Sequence, residues 1–372
     1  MSSIILRCTR LGEENHCKFL DSALIVDDEI RYLPEGYGAY LAEEPVINFF
    51  RGAKGLFLLP ENCDSGNFVR IDDNQLVCVE QCSDLEDRTL FLTGQCNSNC
   101  IMCPYTSNYR SRAEHCSVAD LERYIELMDP YAHYLCITGG EPTLLREDFF
   151  KLLERVKEHF ISISLHILTN GRTFYYYDFL KRFIVTRPYK TLLGVPLHAS
   201  NAILHDEISQ IEGSFEETYR GIKNLLSVGE FVELRVVTSK LNYKDLPELS
   251  NFIIREFGNV HHVCFMGLEM MGNSMVNREQ VWLPYDNLWP YVRQAVDALV
   301  YAGIEVFLFN YPLCIVEEQY WPIYRKSITP SKIEYFGECN ICAKRKMCGG
   351  FFRTTKIMPD ISVYPFLGDN DV

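Results

Sequence analysis

Gln95-Cys96-Asn97-Ser98-Asn99-Cys100-Ile101-Met102-Cys103-Pro104 follows directly on the apolar run Thr89-Leu90-Phe91-Leu92. Its three cysteines are separated by three and then two residues, so thiolates from one tight loop can converge on a single soft metal centre. Tetrahedral zinc calls for a fourth protein ligand. An iron–sulfur cluster held by three cysteines instead keeps one iron open, where a small molecule can bind and react. The expectation is a catalytic cluster at the end of a first strand. A zinc site short of one ligand, or three cysteines in a loop by chance, is the bland alternative.

Moving outward, the chain has 372 residues, 47% of them hydrophobic and 23% charged, which is ordinary for a globular protein with a large core. Its net charge of −14 argues against a polyanionic partner, since phosphate binding needs a basic surface, and no nucleic acid partner is expected. No apolar segment approaches a membrane span, and Met1-Ser2-Ser3-Ile4-Ile5-Leu6-Arg7 lacks the apolar run of a signal peptide. Fifteen cysteines without an export signal suggest reduced thiols and metal ligation in a cytoplasmic protein.

Residues 1–87 carry short apolar stretches (22–26, 55–59 and 75–79) between Asp-, Gly- and Pro-bearing turns, which predicts a small β-rich domain, a candidate for substrate or peptide recognition. Cys8, Cys17, Cys63, Cys78 and Cys82 lie here, and the Cys78–Cys82 pair is read as free thiols in preference to metal ligands. From residue 88 the pattern becomes strand, loop, helix, repeated. Strands are expected at 89–94, 133–138, 161–168, 190–197, 231–238, 261–268 and 304–309. Phe149, Leu152, Leu153 and Val156 share one helix face, as do Leu288, Val292, Ala295 and Leu299. Phe215, Tyr219, Ile222 and Leu226 mark another helix, with Ser214 and Glu217 as a capping box. The alternation implies an α/β fold, a partial (β/α)6 TIM-like barrel over 88–310 with its active groups at the C-terminal ends of parallel strands. Residues 311–358 break the pattern as a cysteine-bearing extension, and 359–372 form a tail.

Further motifs stand at the ends of successive strands. The second ends Thr138-Gly139-Gly140-Glu141-Pro142, where glycines allow close backbone approach to a ligand and an acid can accept from an ammonium group. The third ends Leu168-Thr169-Asn170-Gly171, and the fourth Gly194-Val195-Pro196-Leu197-His198-Ala199-Ser200. His205-Asp206 is read as opening a helix, where Asp suits the N-terminal dipole. Arg235, on the fifth strand, either pairs with a ligand carboxylate or snorkels to solvent. Gly267 lies in the sixth strand's end, Phe265-Met266-Gly267-Leu268-Glu269. Downstream, Cys314, Cys339, Cys342 and Cys348 make a complete set for a second iron–sulfur cluster or for structural zinc, with the cluster preferred. Cys116, Cys136 and Cys264 read as packing or free thiols.

The Cys-x3-Cys-x2-Cys loop resembles the signature of the radical S-adenosylmethionine (radical SAM) enzymes, and Gly139-Gly140-Glu141-Pro142 looks like that family's Gly-Gly-Glu-Pro motif. The resemblance implies a [4Fe-4S] cluster on Cys96, Cys100 and Cys103 whose open iron chelates S-adenosylmethionine, which is then cleaved to methionine and a 5′-deoxyadenosyl radical. It implies cofactor contacts from Gly139, Gly140, Glu141 and Asn170, and from Met102, where the family commonly has an aromatic residue. His198 and Ser200 stand where many relatives carry Ser-Leu-Asp-Gly, and would reach the ribose without the acid. Arg235 would meet the methionine carboxylate and Gly267 the adenine. The last four cysteines resemble the SPASM and shorter twitch extensions. A further cysteine, expected after three intervening residues beyond Cys348, is replaced by Phe352, which implies one auxiliary [4Fe-4S] cluster with Cys314 as fourth ligand.

Within that group, the run Leu90–Cys103 and the ending Cys348-Gly349-Gly350-Phe351-Phe352 look like the His-Xaa-Ser system maturases of the HxsC type. The implied activity is hydrogen abstraction from a ribosomally made precursor peptide during its maturation. The implied partners are that peptide, a reductant such as flavodoxin or ferredoxin, and a second radical SAM enzyme. Two other readings stand beside it: a radical SAM enzyme on a small metabolite, and a cysteine-rich metal-binding protein without catalysis.

Overall fold

The computed structural model describes residues 89–113, 115–329 and 332–367, together with the backbone of eight strands between residues 5 and 79. The chain divides into two compact units, residues 1–88 with 123–132 and residues 89–122 with 133–372.

The first unit contains β1 (Ile5–Leu11), β2 (Cys17–Leu20), β3 (Ala23–Val26), β4 (Glu29–Tyr32), β5 (Val46–Ile47), β6 (Phe57–Leu58), β7 (Phe68–Asp72) and β8 (Gln75–Val79). Six of them form an antiparallel sheet in the order β4-β3-β2-β1-β7-β8, and β5 pairs with β6. β3, β6 and β8 coincide with the three apolar stretches of the sequence. The side chains of Cys8, Cys17, Cys63, Cys78 and Cys82 lie outside the described residues, and with them any metal or peptide role for this region.

The second unit is wound on one parallel sheet: β9 (Thr89–Phe91), β10 (Tyr134–Thr138), β11 (Ser164–Leu168), β12 (Lys190–Pro196), β13 (Phe231–Thr238), β14 (His262–Gly267), β15 (Val306–Phe309) and β16 (Tyr324–Arg325). Strand order follows the chain from β9 to β16, and every neighbouring pair is parallel. Winding without a switch point is that of a barrel, not of a doubly wound sheet. β9 and β16 are its two ends, which leaves the barrel open. The strands are rich in buried Leu, Ile, Val and Phe because helices cover their outer faces.

The helices are α1 (Ser107–Arg112), α2 (Val118–Leu127), α3 (Glu147–His159), α4 (Tyr177–Thr186), α5 (Ala202–Ser209), α6 (Ser214–Ser227), α7 (Leu246–Glu256), α8 (Asn273–Val276), α9 (Arg278–Val281) and α10 (Tyr285–Tyr301). In α3, Phe149, Leu152, Leu153 and Val156 are buried, while Glu147 and Asp148 in the first turn and Lys157 and His159 in the last complement the helix dipole.

Three expectations change. The eighth strand, β16, falls within the stretch read as a cysteine extension, and two residues give too little pattern to be seen in sequence. The capping box of α6 does not form: Gly213 is the N-cap, in the left-handed region at φ 80°. Asp206 lies within α5, which opens on Asn201, and it caps α6 instead of its own helix. Its carboxylate accepts from the backbone N–H groups of Gly213 and Phe215 at 2.7 Å each, and from Ser214 Oγ at 2.8 Å.

Among the described residues, no helix is long and apolar enough to cross a membrane.

Candidate functional site: a cysteine loop at the mouth of an open barrel

Cys96, Cys100 and Cys103 are free thiols in the loop between β9 and α1. The loop is clamped through its backbone. Asn99 and Ile101 N–H donate to the carbonyls of Ser209 and Ile208 at the end of α5, both at 2.9 Å. From α8, Asn273 donates its side-chain N–H to the Cys100 carbonyl at 3.1 Å, and its backbone N–H to the Cys103 carbonyl at 2.9 Å. Asn277 reaches the Ile101 carbonyl at 3.0 Å. Arg172, after β11, donates to the Asn97 carbonyl at 2.6 Å and to Ser98 Oγ at 3.2 Å, while pairing with Glu217 of α6 at 2.5 Å. Arg110 of α1 holds Asn99. So clamped, Cys96 and Cys103 lie near enough to Cys100 to act on its thiol.

Burial pushes the Cys96 thiol up to about 11, helped by the charge of Glu141. Burial likewise pushes Cys100 up to about 12, helped by the neighbouring thiols Cys103 and Cys96. Mutually destabilised thiolates in a partly buried pocket are what a bound cation relieves. Ser98 N–H points at the Cys96 sulfur at 3.4 Å, a donor suited to a ligand thiolate. The donor set therefore fits a cluster on three cysteines.

The two glycines at the end of β10 pack closely against the start of the cysteine loop. A Cβ on Gly139 (φ 151°) would lie 2.5 Å from the Thr93 carbonyl oxygen, and one on Gly140 would lie 2.1 Å from that of Gln95. Gly140 and Glu141 N–H donate to those same oxygens, at 2.7 and 2.8 Å. Glu141 is 0% exposed. One of its carboxylate oxygens accepts from Thr143 N and Oγ1 and from Thr169 Oγ1, and the other from Asn170 N at 2.6 Å. In this arrangement the carboxylate ties the ends of β10 and β11 together. Burial pushes its pKa up, against those hydrogen bonds. Asn170 completes the tie by donating to Asn97 Oδ1 at 2.6 Å.

The other expected cofactor residues are spread along the barrel. Met102 is buried. His198, after β12, is buried with Nε2 3.9 Å from the Cys100 sulfur. Ser200 donates to Asp245 Oδ1 at 2.6 Å through its hydroxyl, and to Oδ2 at 2.7 Å through its backbone. Asp245, from the segment following β13, thus stands beside Ser200. Gly267 ends β14, where its carbonyl accepts from the Asn310 side chain at 3.4 Å.

Arg235 neither snorkels outward nor stands free: its guanidinium pairs with Glu233 at 2.9 Å inside the barrel. His166 Nε2 meets the other oxygen of Glu233 at 2.7 Å, and its Nδ1 faces Tyr134 Oη at 3.3 Å. Burial alone would raise the Glu233 pKa, but His166 and Arg235 outweigh it and hold it at about 2. These groups line a cavity of about 470 Å³ with Cys136, His262, Met266 and Lys332. Sequence reading missed Arg172, Asn273, Asn277, Glu233 and Asp245, because each acts through a partner distant in the chain. Only the strand position of Glu233, two residues from Arg235 and so on the same face, hinted at a role.

The second cysteine set also converges. Cys314, Cys339, Cys342 and Cys348 line one small cavity, walled by Tyr335, Phe351 and residues 363–366. Backbone N–H groups of Leu313 and Gly350 point at the Cys348 sulfur, both at 3.3 Å, and that of Phe366 at Cys342 at 3.4 Å. Burial pushes the Cys314 thiol up to about 11, opposed by the Tyr364 backbone N–H. The stretch beyond 359, expected as a tail, is thus part of the pocket wall.

Residues 90–253 match the family profile described as the radical SAM superfamily. The chain is 28% identical over 168 residues to the mycofactocin maturase MftC of Mycobacterium tuberculosis, a match covering 44% of this chain and 40% of that protein. It is 25% identical over 191 residues to the Fe-coproporphyrin III synthase of Methanosarcina barkeri, covering 50% and 46%. The chain therefore spans less than half the length of these curated relatives. Among solved structures, Streptococcus suis SuiB bound to its precursor peptide SuiA aligns with a TM-score of 0.47 at 16% identity, over 60% of this chain and 48% of that one.

Proposed function

Because the chain carries a radical SAM domain over residues 90–253, we propose that it reductively cleaves S-adenosylmethionine and abstracts hydrogen from a precursor peptide during its maturation. The observation that carries the reading is the pair of converging cysteine sets, three thiols at the barrel mouth and four in the C-terminal pocket. When bound, a [4Fe-4S] cluster and S-adenosylmethionine supply a primary carbon radical, with one electron drawn from a flavodoxin- or ferredoxin-class reductant.

The chain's own work is positional. Cys96, Cys100 and Cys103 hold the cluster, and the tie made by Glu141 and Asn170 fixes the loop against β10 and β11. Gly139, Gly140 and Met102 shape the cofactor side of that loop. Ser200 with Asp245 offers a polar pair at the end of β12, and Gly267 lies at the mouth on β14. The barrel cavity lined by Arg235, Glu233 and His166 offers polar groups that can orient the target. Cys314, Cys339, Cys342 and Cys348 would hold an auxiliary [4Fe-4S] cluster, which would take up an electron from the product radical or anchor the substrate. Four cysteines are also a complete set for structural zinc; the resemblance to SPASM and twitch extensions is what favours the cluster.

The maturase relative supports a peptide substrate, as does the resemblance of the C-terminal set to SPASM and twitch extensions. The coproporphyrin synthase relative keeps a small-metabolite substrate as the second reading. Anaerobically reconstituted protein with dithionite should convert S-adenosylmethionine to 5′-deoxyadenosine, and Cys96→Ala, Cys100→Ala or Cys103→Ala should abolish it. Undiminished cleavage in those variants would sink the assignment.

A further inference from the structure

We infer that His198 donates a hydrogen bond from Nε2 to the Cys100 sulfur and thereby raises the reduction potential of the cluster at that loop; the inference rests on the cluster reading above. His198 stands where a ribose contact is expected from sequence, yet its Nε2 lies 3.9 Å from Cys100 Sγ. His198 is 4% exposed. Asn242 donates to the His198 carbonyl at 3.0 Å. The ring packs 5.0 Å from that of His205, which is itself fixed by Ser214 Oγ at 3.2 Å.

The location of the proton follows from the partners. Among the described residues, buried His198 Nδ1 has no hydrogen-bond partner. A neutral imidazole has one N–H to place. On Nδ1 it would be an orphaned buried donor, and the Nε2 lone pair would face a sulfur rich in electrons. On Nε2 it pairs with the sulfur and leaves only a lone pair unsatisfied, which is the cheaper defect. A second proton would not remove this donation.

A donor aimed at a ligand sulfur stabilises the more negative, reduced cluster more than the oxidised one, so the potential rises. His198 is thus a positioning and tuning residue, acting through Cys100. Among the described residues, no other side-chain donor is found against the sulfurs of the loop; the Cys96 sulfur has only the backbone donor Ser98.

The test compares wild type, His198→Phe and His198→Gln, each reconstituted anaerobically, with iron counted and the reduced cluster followed by EPR during a redox titration. The signal that changes on adding S-adenosylmethionine identifies the cluster at Cys100. His198→Phe should titrate at a more negative potential than wild type, and His198→Gln, which keeps an N–H donor, should return toward the wild-type value. Equal potentials in wild type and His198→Phe at equal iron content would overturn the inference while leaving the cluster reading intact. Should His198→Phe load poorly, pulsed EPR of wild type labelled with [15N]histidine decides: a weak nitrogen coupling to the reduced cluster is expected, and its absence overturns the proposal. Wild type that takes up no iron would overturn the cluster reading itself, and the inference with it.

Discussion

Arg172 shows how a single residue outside any motif can govern a motif. It bonds the backbone of Asn97 and the hydroxyl of Ser98, within the cysteine loop, and anchors itself on Glu217. Arg172→Ala should cost roughly 1–3 kcal/mol, as hydrogen bonds to charged donors typically do, and should leave the Cys96–Cys103 loop slack. Urea midpoints and iron retention under a chelator should both fall; unchanged retention would deny the clamp. Glu233 carries a pH signature. Its folded-state pKa of about 2 lies below the ordinary value of 4.5, so the carboxylate stabilises the fold above pH 4.5, and that contribution is lost as pH falls toward 2. Glu233→Gln should flatten the decline of stability in that window, read from urea melts at pH 5, 4 and 3 by circular dichroism. Cys100 carries a third expectation. With its thiol near 12, carboxymethylation in metal-free protein at pH 8 should run at least about tenfold slower than at exposed Cys116.

Between elements, the turn from α5 to α6 is stabilised by a contact running backward along the chain. Asp206 in α5 satisfies the first N–H groups of α6, and α6 in turn supplies Glu217 to Arg172. Asp206→Ala should destabilise the protein by about 1–2 kcal/mol, the usual worth of an N-cap, and should lower iron retention through Arg172. The strands and the helix faces were readable because each repeats a simple period over many residues. The cap was not, because Asp206 precedes α6 by eight residues and only the folded turn brings them together.

At the scale of the whole chain, two cysteine sets predict about eight irons, four for each cluster. Replacing Cys339 and Cys342 by Ala should halve the count while the signal responsive to S-adenosylmethionine persists. Ending the chain after Asp360 removes the wall formed by residues 363–366 and the Phe366 donor to Cys342. Iron of the second set should then be lost to a chelator faster, with that of the Cys96–Cys103 loop unaffected; equal loss rates would show that the wall does not shield it. The sequence by itself determined the parallel winding and the position of the cysteine loop at a strand end, since hydrophobic period and local cysteine spacing are properties of contiguous residues. Tertiary structure alone decided what surrounds that loop. Gly139 and Gly140 pack on residues 93–95, Glu141 is sealed between β10 and β11, Asn273 reaches back 173 positions to Cys100, and His198 turns to a sulfur. Such contacts join groups far apart in the chain, each of which must satisfy its hydrogen bonds wherever the folded backbone brings it, and no local pattern records that pairing.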